Sequence, residues 1–419
     1  MNPTGRPPLR HNTQFQLLWV GAATSSLGSA LTAIAIPLLL LHLTHSPATV
    51  GGVAALATVT GLVLTIPAGV WVDRSDRRVI LLGSQTLSFV NSAAFTLALL
   101  FGHANLSNFV VFAVISGGCN SIFGPAFAVA LRNIVHPADL RQAFAQEQAR
   151  NFAAQLIGPA IGGGLYAVDA RLPFVLDTLT YLISLICAVA CRVPRRPVTT
   201  GPNTSKPPRR HMVHEALEAA RWLFRQRGLR EMVLIITAMN FLGGAFSIPV
   251  IVHIRSMGGS SSLTGIVLAG QGVGGLIGAL WAAKLISRIP PGRLGILVPT
   301  IFGCCMIIAA APIAVWWPVV PIVLFCMFTP ALNVALNATT AELVPIEMLG
   351  RLGAPLSLTA ISLRPAGQLL GGVASGAIGG GATMVCVGVG LLAAAGIAAT
   401  SKTLRAFNPE PPSTELGTN

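Results

Sequence analysis

Residues Gly69 to Leu81 read GVWVDRSDRRVIL, a short charged hinge between two long apolar runs. Val50 to Trp71 before it and Val79 to Phe101 after it carry no charge. Each is long enough to cross a bilayer core, which takes about 20 apolar residues. Between them stand Asp73, Arg74, Asp76, Arg77 and Arg78. So short a hinge makes the two runs antiparallel neighbours, and its arginines predict a cytoplasmic turn.

The rest of the chain repeats this alternation. Its 419 residues are 53% hydrophobic and only 10% charged, with a mean hydropathy of +0.72. Soluble domains of this size do not have that composition, and polytopic membrane proteins do. The formal net charge of +14 is no nucleic-acid footprint. The basic residues neither line one helix nor alternate with stacking aromatics; they fall in the gaps between apolar runs. The first run starts near Phe15 and is too long for the apolar core of a cleavable signal peptide. The seven cysteines lie within or beside apolar runs, with no histidine at metal-ligand spacing. They read as small packing residues, without a disulfide framework or a metal site.

Runs 1 to 6 cover about 16–41, 48–70, 79–101, 109–131, 142–168 and 173–191. Arg192 to Arg230 is the one long polar segment. Its first half is rich in Pro, Thr and Ser and reads as a linker. Its second half places Val213, Leu217, Ala220 and Phe224 on one helical face, which predicts a basic amphipathic helix on the inner membrane surface. Runs 7 to 12 cover about 232–254, 263–286, 294–315, 318–341, 352–377 and 382–401.

The chain thus divides into a cytoplasmic tail at 1–14, a six-helix half at 15–191 and the basic linker at 192–230. A second six-helix half at 231–405 and a tail at 406–419 follow. Of the 27 Lys and Arg residues, only Arg171 and Arg255 fall in turns opposite the termini, and Arg150 and Arg364 lie inside runs. Positive charge marks the cytoplasmic side. Both termini are therefore expected there, in a multi-pass protein of the cell membrane.

The two halves repeat each other. Phe123 to Leu131 reads FGPAFAVAL and Phe328 to Leu336 reads FTPALNVAL. Downstream, Val135, Pro137, Asp139 and Arg141 are echoed by Val344, Pro345, Glu347 and Arg351. Further on, Gln155-Leu-Ile-Gly158 is echoed by Gln368-Leu-Leu-Gly371, each preceded by an intramembrane arginine, Arg150 and Arg364. One match of apolar nonamers means little, but three in the same order mean duplication. The predicted fold is an all-α polytopic membrane protein with twelve transmembrane helices in two pseudo-symmetric six-helix halves. Two such halves create an axis between them along which secondary transporters alternate access.

Gly69, Asp73, Arg74, Arg77, Arg78 and Leu81 resemble the loop 2–3 signature of the major facilitator superfamily, G-x-L-A-D-R-x-G-R-R-x-x-L. The chain departs from it at Trp71, Val72 and Asp76. Its D-R-x-D-R-R form resembles the multidrug, macrolide and siderophore exporter branch. The resemblance implies a conformational gate in which these charges pair across the cytoplasmic face. Gly158, Pro159, Gly162 and Gly163 are similar to the end of the run 5 motif of drug:proton antiporters, with Ala154 where that motif has an upstream glycine. Two further antiporter features are missing: the run 4 arginine before Gly117 and Gly118, and an acid after Gly28 in run 1.

Charges inside a membrane cost roughly 2.5–3.5 kcal/mol each on insertion scales. Asp177, Glu147, Arg150 and Arg364 are therefore the proton-coupling candidates, since a buried carboxylate can load and release a proton as access alternates. Each has a plainer reading as a neutralising ion pair, as does Glu342; Glu147 and Arg150 stand i, i+3 and can pair. The resemblance places the cavity among runs 1, 4, 7 and 10. There Ser25, Asn120, Phe123, Asn240, Phe246, Phe328, Asn333 and Asn337 are the substrate candidates. Asparagine also bonds membrane helices to one another, which is the duller role for each.

These readings point to a secondary exporter of small hydrophobic or amphipathic compounds, driven by protons. The alternative is an uptake symporter or facilitator for a metabolite. No Ser–His–Asp set, metal cluster or G-x-x-x-x-G-K-[ST] loop stands in the sequence, so neither an enzyme nor an ATP-driven pump is expected, and no cofactor is implied. The expected partners are a small-molecule substrate, protons and the lipid bilayer, without nucleic acid, for a protein acting as a monomer.

Overall fold

A computed structural model of the chain describes residues 9–74, 76–191, 227–343 and 359–405. The predicted amphipathic helix and most of the linker lie outside them. The described residues are helical almost throughout and contain no strand. After a 3-10 turn at Leu9–His11, the first half holds α1 (Thr13–Thr44), α2 (Pro47–Arg74), α3 (Arg77–Leu100), α4 (Leu106–Ile134), α5 (Leu140–Val168) and α6 (Leu172–Ala190). The second holds α7 (Arg227–Gly244), α8 (Ser247–Ser256), α9 (Ser261–Ile286), α10 (Pro291–Ala309), α11 (Val319–Leu343), α12 (Arg364–Ile378), α13 (Gly380–Thr400) and α14 (Lys402–Arg405).

Ten helical segments are long and apolar enough to cross a bilayer, with α7 and α8 together forming one of them. The remaining two spans are α5 and α12. Polar residues from Arg141 to Gln155 lower the hydropathy of α5, and only 15 residues of α12 are described. Run 7 reads as continuous in sequence, yet the chain breaks between α7 and α8 at Ala245 and Phe246. The break follows Gly243 and Gly244, residues that favour helix interruption.

Helix starts follow side-chain chemistry. Asn12 accepts a hydrogen bond from the Phe15 N–H at 3.1 Å, Asn105 from Asn108 at 3.2 Å and Ser260 from Leu263 at 3.2 Å. Each satisfies a donor that the first helical turn leaves open. At the hinge, Asp76 caps α3 by accepting from the Arg78 N–H at 3.0 Å. The position where the hinge departs from the family glycine thus becomes a helix cap. Arg78 then donates to the Val189 carbonyl at 3.2 Å, tying the hinge to the last turn of α6. A cation there complements the negative helix end.

Within the first half α1 packs on α5 and α6, and α4 on α2 and α3. Within the second α9 packs on α11, and α10 on α11 and α13. The repeated nonamers occupy corresponding helices, with Pro125 inside α4 and Pro330 inside α11. With an even number of spans, the first and last described residues, Leu9 and Arg405, come to the same end of the bundle. Near it Asn12 donates to the Ile134 carbonyl at 3.2 Å, and Ser401 donates to Glu231 at 2.6 Å.

The halves meet through two glycine seams remote from that end. In the first, α5 crosses α9: a Cβ on Gly163 would stand 2.6 Å from the Ser261 carbonyl oxygen and 2.8 Å from Gly265 Cα. In the second, α2 crosses α12: a Cβ on Gly51 would stand 2.5 Å from the Gln368 carbonyl oxygen and 3.1 Å from Gly372 Cα. Backbone lies against backbone at both, as small residues allow between membrane helices. Thr58 adds a side-chain bond across the second seam, donating to Gln368 Oε1 at 2.9 Å.

Candidate functional site: the cavity between the halves

Between the α5–α9 seam and the end holding the termini lies a cavity of about 690 Å³. Helices α5, α7, α9, α10, α11 and α12 line it, with Phe246 at the α7–α8 break. Gln148, Phe152 and Gln155 come from α5, at the spacing of one helical face. This exposed polar face explains why α5 is too polar to read as a simple span. Asn240 and Gln271 add amides from α7 and α9. Asn240 donates its Nδ2–H to the Ile236 carbonyl at 3.0 Å, which anchors the side chain on its own helix.

Aromatic rings form a contiguous part of the wall. Phe302 stacks on Phe325 with centroids 4.1 Å apart and an interplanar angle of 14°. Phe246 meets Phe325 edge-on at 5.4 Å. Arg364, the first residue of α12, also lines the cavity.

Of the substrate candidates, Asn240, Phe246 and Asn333 line the cavity, all in the second half. Phe328 packs instead beside the cluster containing Leu332 and Met232. In the first half Ser25 is buried and donates to the Ala22 carbonyl at 3.2 Å. Asn120 is exposed on α4, and the Phe123 ring lies 5.8 Å from that of Phe127. None of these three lines this cavity. The Asn337 and Glu342 side chains lie outside the described residues.

The proton-coupling candidates separate in space. Asp177 is 1% exposed. Its Oδ2 accepts from Ser92 Oγ at 2.7 Å, and its Oδ1 has no hydrogen-bond partner among the described residues. Gly28 of α1 closes over it, since a Cβ there would stand 2.5 Å from that Oδ1. Thr96 and Thr178 extend the hydroxyl network beside it, 2.9 Å apart. Asp177 therefore joins α1, α3 and α6 inside the first half, away from the cavity. Glu147 pairs with Arg150 at 3.8 Å and keeps 24% of its side chain exposed. Arg150 also donates to Asn151 Oδ1 at 3.1 Å and sits 5.1 Å over the Phe127 ring. This pair stands on α5 next to the cavity residue Gln148.

The glycine-proline motif of α5 is a packing surface on two sides. Gly158 and Gly162 fit against Ala30 and Leu31 of α1, while Gly163 fits against α9. At the hinge, Gly69 has open space where a Cβ would stand. The Asp73, Arg74 and Arg77 side chains lie outside the described residues.

Sequence reading missed Gln148, Gln155, Gln271, Phe302 and Phe325. Gln148 and Gln155 stand seven residues apart, but among Gln142, Gln146, Glu147, Arg150 and Asn151 nothing singles them out; Gln271 was legible as the lone amide of run 8. Phe302 and Phe325 gave no such signal, because lining and core phenylalanines look alike in sequence.

Two six-helix halves of repeated sequence, joined along glycine seams around a polar-and-aromatic cavity, define a secondary transporter. The model of the Major Facilitator Superfamily matches residues 18–363, and the chain belongs to that family. It is 26% identical to the multidrug efflux pump Tap of Mycolicibacterium fortuitum over 94% of this chain and 95% of that protein. It is 22% identical to macrolide efflux protein A of Streptococcus pyogenes over 55% and 56% of the two chains. Among solved structures, a bacterial homologue of the lysosomal transporter Spinster, in an inward-facing and unoccupied conformation, superposes with a TM-score of 0.72. Its sequence identity is 16%, covering 94% of this chain and 97% of that one. These matches place the protein among multi-pass membrane transporters related to efflux pumps.

Proposed function

We propose that the protein exports small hydrophobic or amphipathic compounds, such as a drug, antibiotic or siderophore, by proton-coupled antiport. The observation that carries this reading is the cavity between the halves, closed by two glycine seams on the side remote from the termini. With both termini cytoplasmic, as the basic turns indicate, this is an inward-open transporter ready to take substrate from the cell interior or inner leaflet. Shifting the contact from the seams to the hinge end would open the cavity outward. The open space at Gly69 suits the cytoplasmic half of that cycle.

Export rather than uptake is supported by the names of the relatives and by the α5 motif. It is also supported by a cavity whose described lining holds no fixed pair of opposite charges. For proton coupling we favour Glu147. It stands on a cavity helix and keeps 24% of its side chain exposed, whereas Asp177 is enclosed. Arg150 is its charge partner.

Everted membrane vesicles test this. Energised vesicles carrying the protein should accumulate a fluorescent amphipath from a panel of acidic, neutral and basic probes, and a protonophore should release it. Accumulation that ignores the protonophore would remove the antiport mechanism, and uptake only into right-side-out vesicles would reverse the direction.

A further inference from the structure

Arg364 is the one charged side chain among the described residues lining the cavity, and among them it has neither an acidic partner nor a hydrogen bond. Its position is built. Gly244, at the end of α7, presents bare backbone to it: a Cβ there would stand 2.5 Å from the Arg364 carbonyl oxygen and 3.2 Å from its Cγ. A guanidinium inside a membrane protein is costly without a partner and seldom persists there without a role. The other arginine inside a run, Arg150, has its carboxylate in Glu147 at 3.8 Å. Arg364 has none.

The surroundings fit a negative guest. Gln148, Gln155, Gln271 and Asn333 bring amide donors into the cavity, with no internal partner among the described residues. A guanidinium binds carboxylate, sulfonate or phosphate oxygens through two parallel hydrogen bonds. A cationic guest would meet Arg364 with no carboxylate among the described lining residues to offset the repulsion. The stacked pair Phe302 and Phe325, with Phe246 beside it, is mostly buried (4–7% exposed) and gives the wall a small apolar patch for the rest of the molecule.

We infer that the cavity takes amphipathic anions, the acidic head held by Arg364 and an aromatic or flat apolar body held by Phe246, Phe302 and Phe325. This rests on the transport reading for its biological meaning and narrows the substrate to organic acids rather than cationic drugs.

Binding and transport are measured apart. Full-length protein in detergent is dialysed to equilibrium against radiolabelled 1-naphthylacetate, 1-naphthylacetamide or 1-naphthylmethylammonium. The acid should bind at least about tenfold tighter than the amide or the amine, as expected for loss of one charge-assisted contact. Arg364→Gln should remove that advantage while leaving amide affinity within about twofold, and Arg364→Lys should retain part of it. Should Arg364→Gln elute as aggregate, Arg364→Lys decides, together with displacement of the acid from wild-type protein by naphthalene-1-sulfonate. Equal binding of the three probes, tighter binding of the amine, or no acid binding at millimolar concentration overturns the inference. So does an equal loss for all three probes in the variant. A clear acid preference without transport in vesicles would sink the exporter reading and leave this one standing; transport without acid preference would do the reverse.

Discussion

Thr58 of α2 donates a hydrogen bond to Gln368 of α12 at 2.9 Å, a side-chain link between the two halves at the α2–α12 seam. A transporter that alternates access must break it in each cycle. Thr58→Val keeps the shape and removes the donor, at a cost of about 1 kcal/mol, or about fivefold in the balance of states. Cys326 lines the cavity. With the other cysteines replaced, its labelling by a maleimide from the side of the termini should slow by a similar factor. An unchanged or faster rate contradicts this role for the link.

Neighbouring glycines of α5 should behave oppositely. Gly163 lies against α9 backbone, whereas a Cβ on Gly164 meets nothing within 4 Å. Gly163→Val should wedge the halves apart and lower transport at least about tenfold, a loss in line with overpacking costs of roughly 1–3 kcal/mol. Gly164→Val should transport at near wild-type rate. Similar effects at both positions, in vesicles with matched protein levels, would deny that the seam is specific.

Asp177 and Glu147 should separate stability from coupling. Asp177→Ala deletes the acceptor for Ser92 and should lower stability by about 1–3 kcal/mol, read as a drop in detergent melting temperature. Its KM should stay within about twofold. Glu147→Gln should abolish gradient-driven accumulation while preserving substrate exchange down its own gradient. Loss of proton dependence in Asp177→Asn, with Glu147→Gln unaffected, would move the proton site to Asp177.

The hinge carries a simpler expectation. Asp76 caps α3, so Asp76→Ala should cost about 1 kcal/mol of stability, and Asp76→Gly only a few tenths. Thermal unfolding in detergent compares the two. An equal loss in both would assign Asp76 a role other than capping.

Much of the architecture is visible in the chain because bilayer length and charge act locally. The hinge at Gly69 to Leu81, the repeated nonamers and the intramembrane arginines all report on short segments. The site is less legible because it is assembled from the second half and α5. Ser25 and Phe123 look as suitable as Asn240 and Phe246 until packing separates them. In sequence Asp177 looks the better proton site and Glu147 the partner of Arg150, yet Asp177 is enclosed beneath Gly28 and Glu147 lies beside the cavity. The seam residues Thr58 and Gln368 are 310 positions apart, and nothing in either segment announces the other.

Bridging that seam tests alternating access most directly. Thr58→Cys and Gln368→Cys, placed together in a background without other cysteines, are joined by a short bifunctional thiol reagent in reconstituted vesicles, and gradient-driven transport is followed before and after reduction. Transport should stop when the bridge forms and return when it is cleaved. Full-rate transport with the bridge in place would contradict a mechanism in which the halves part at this seam.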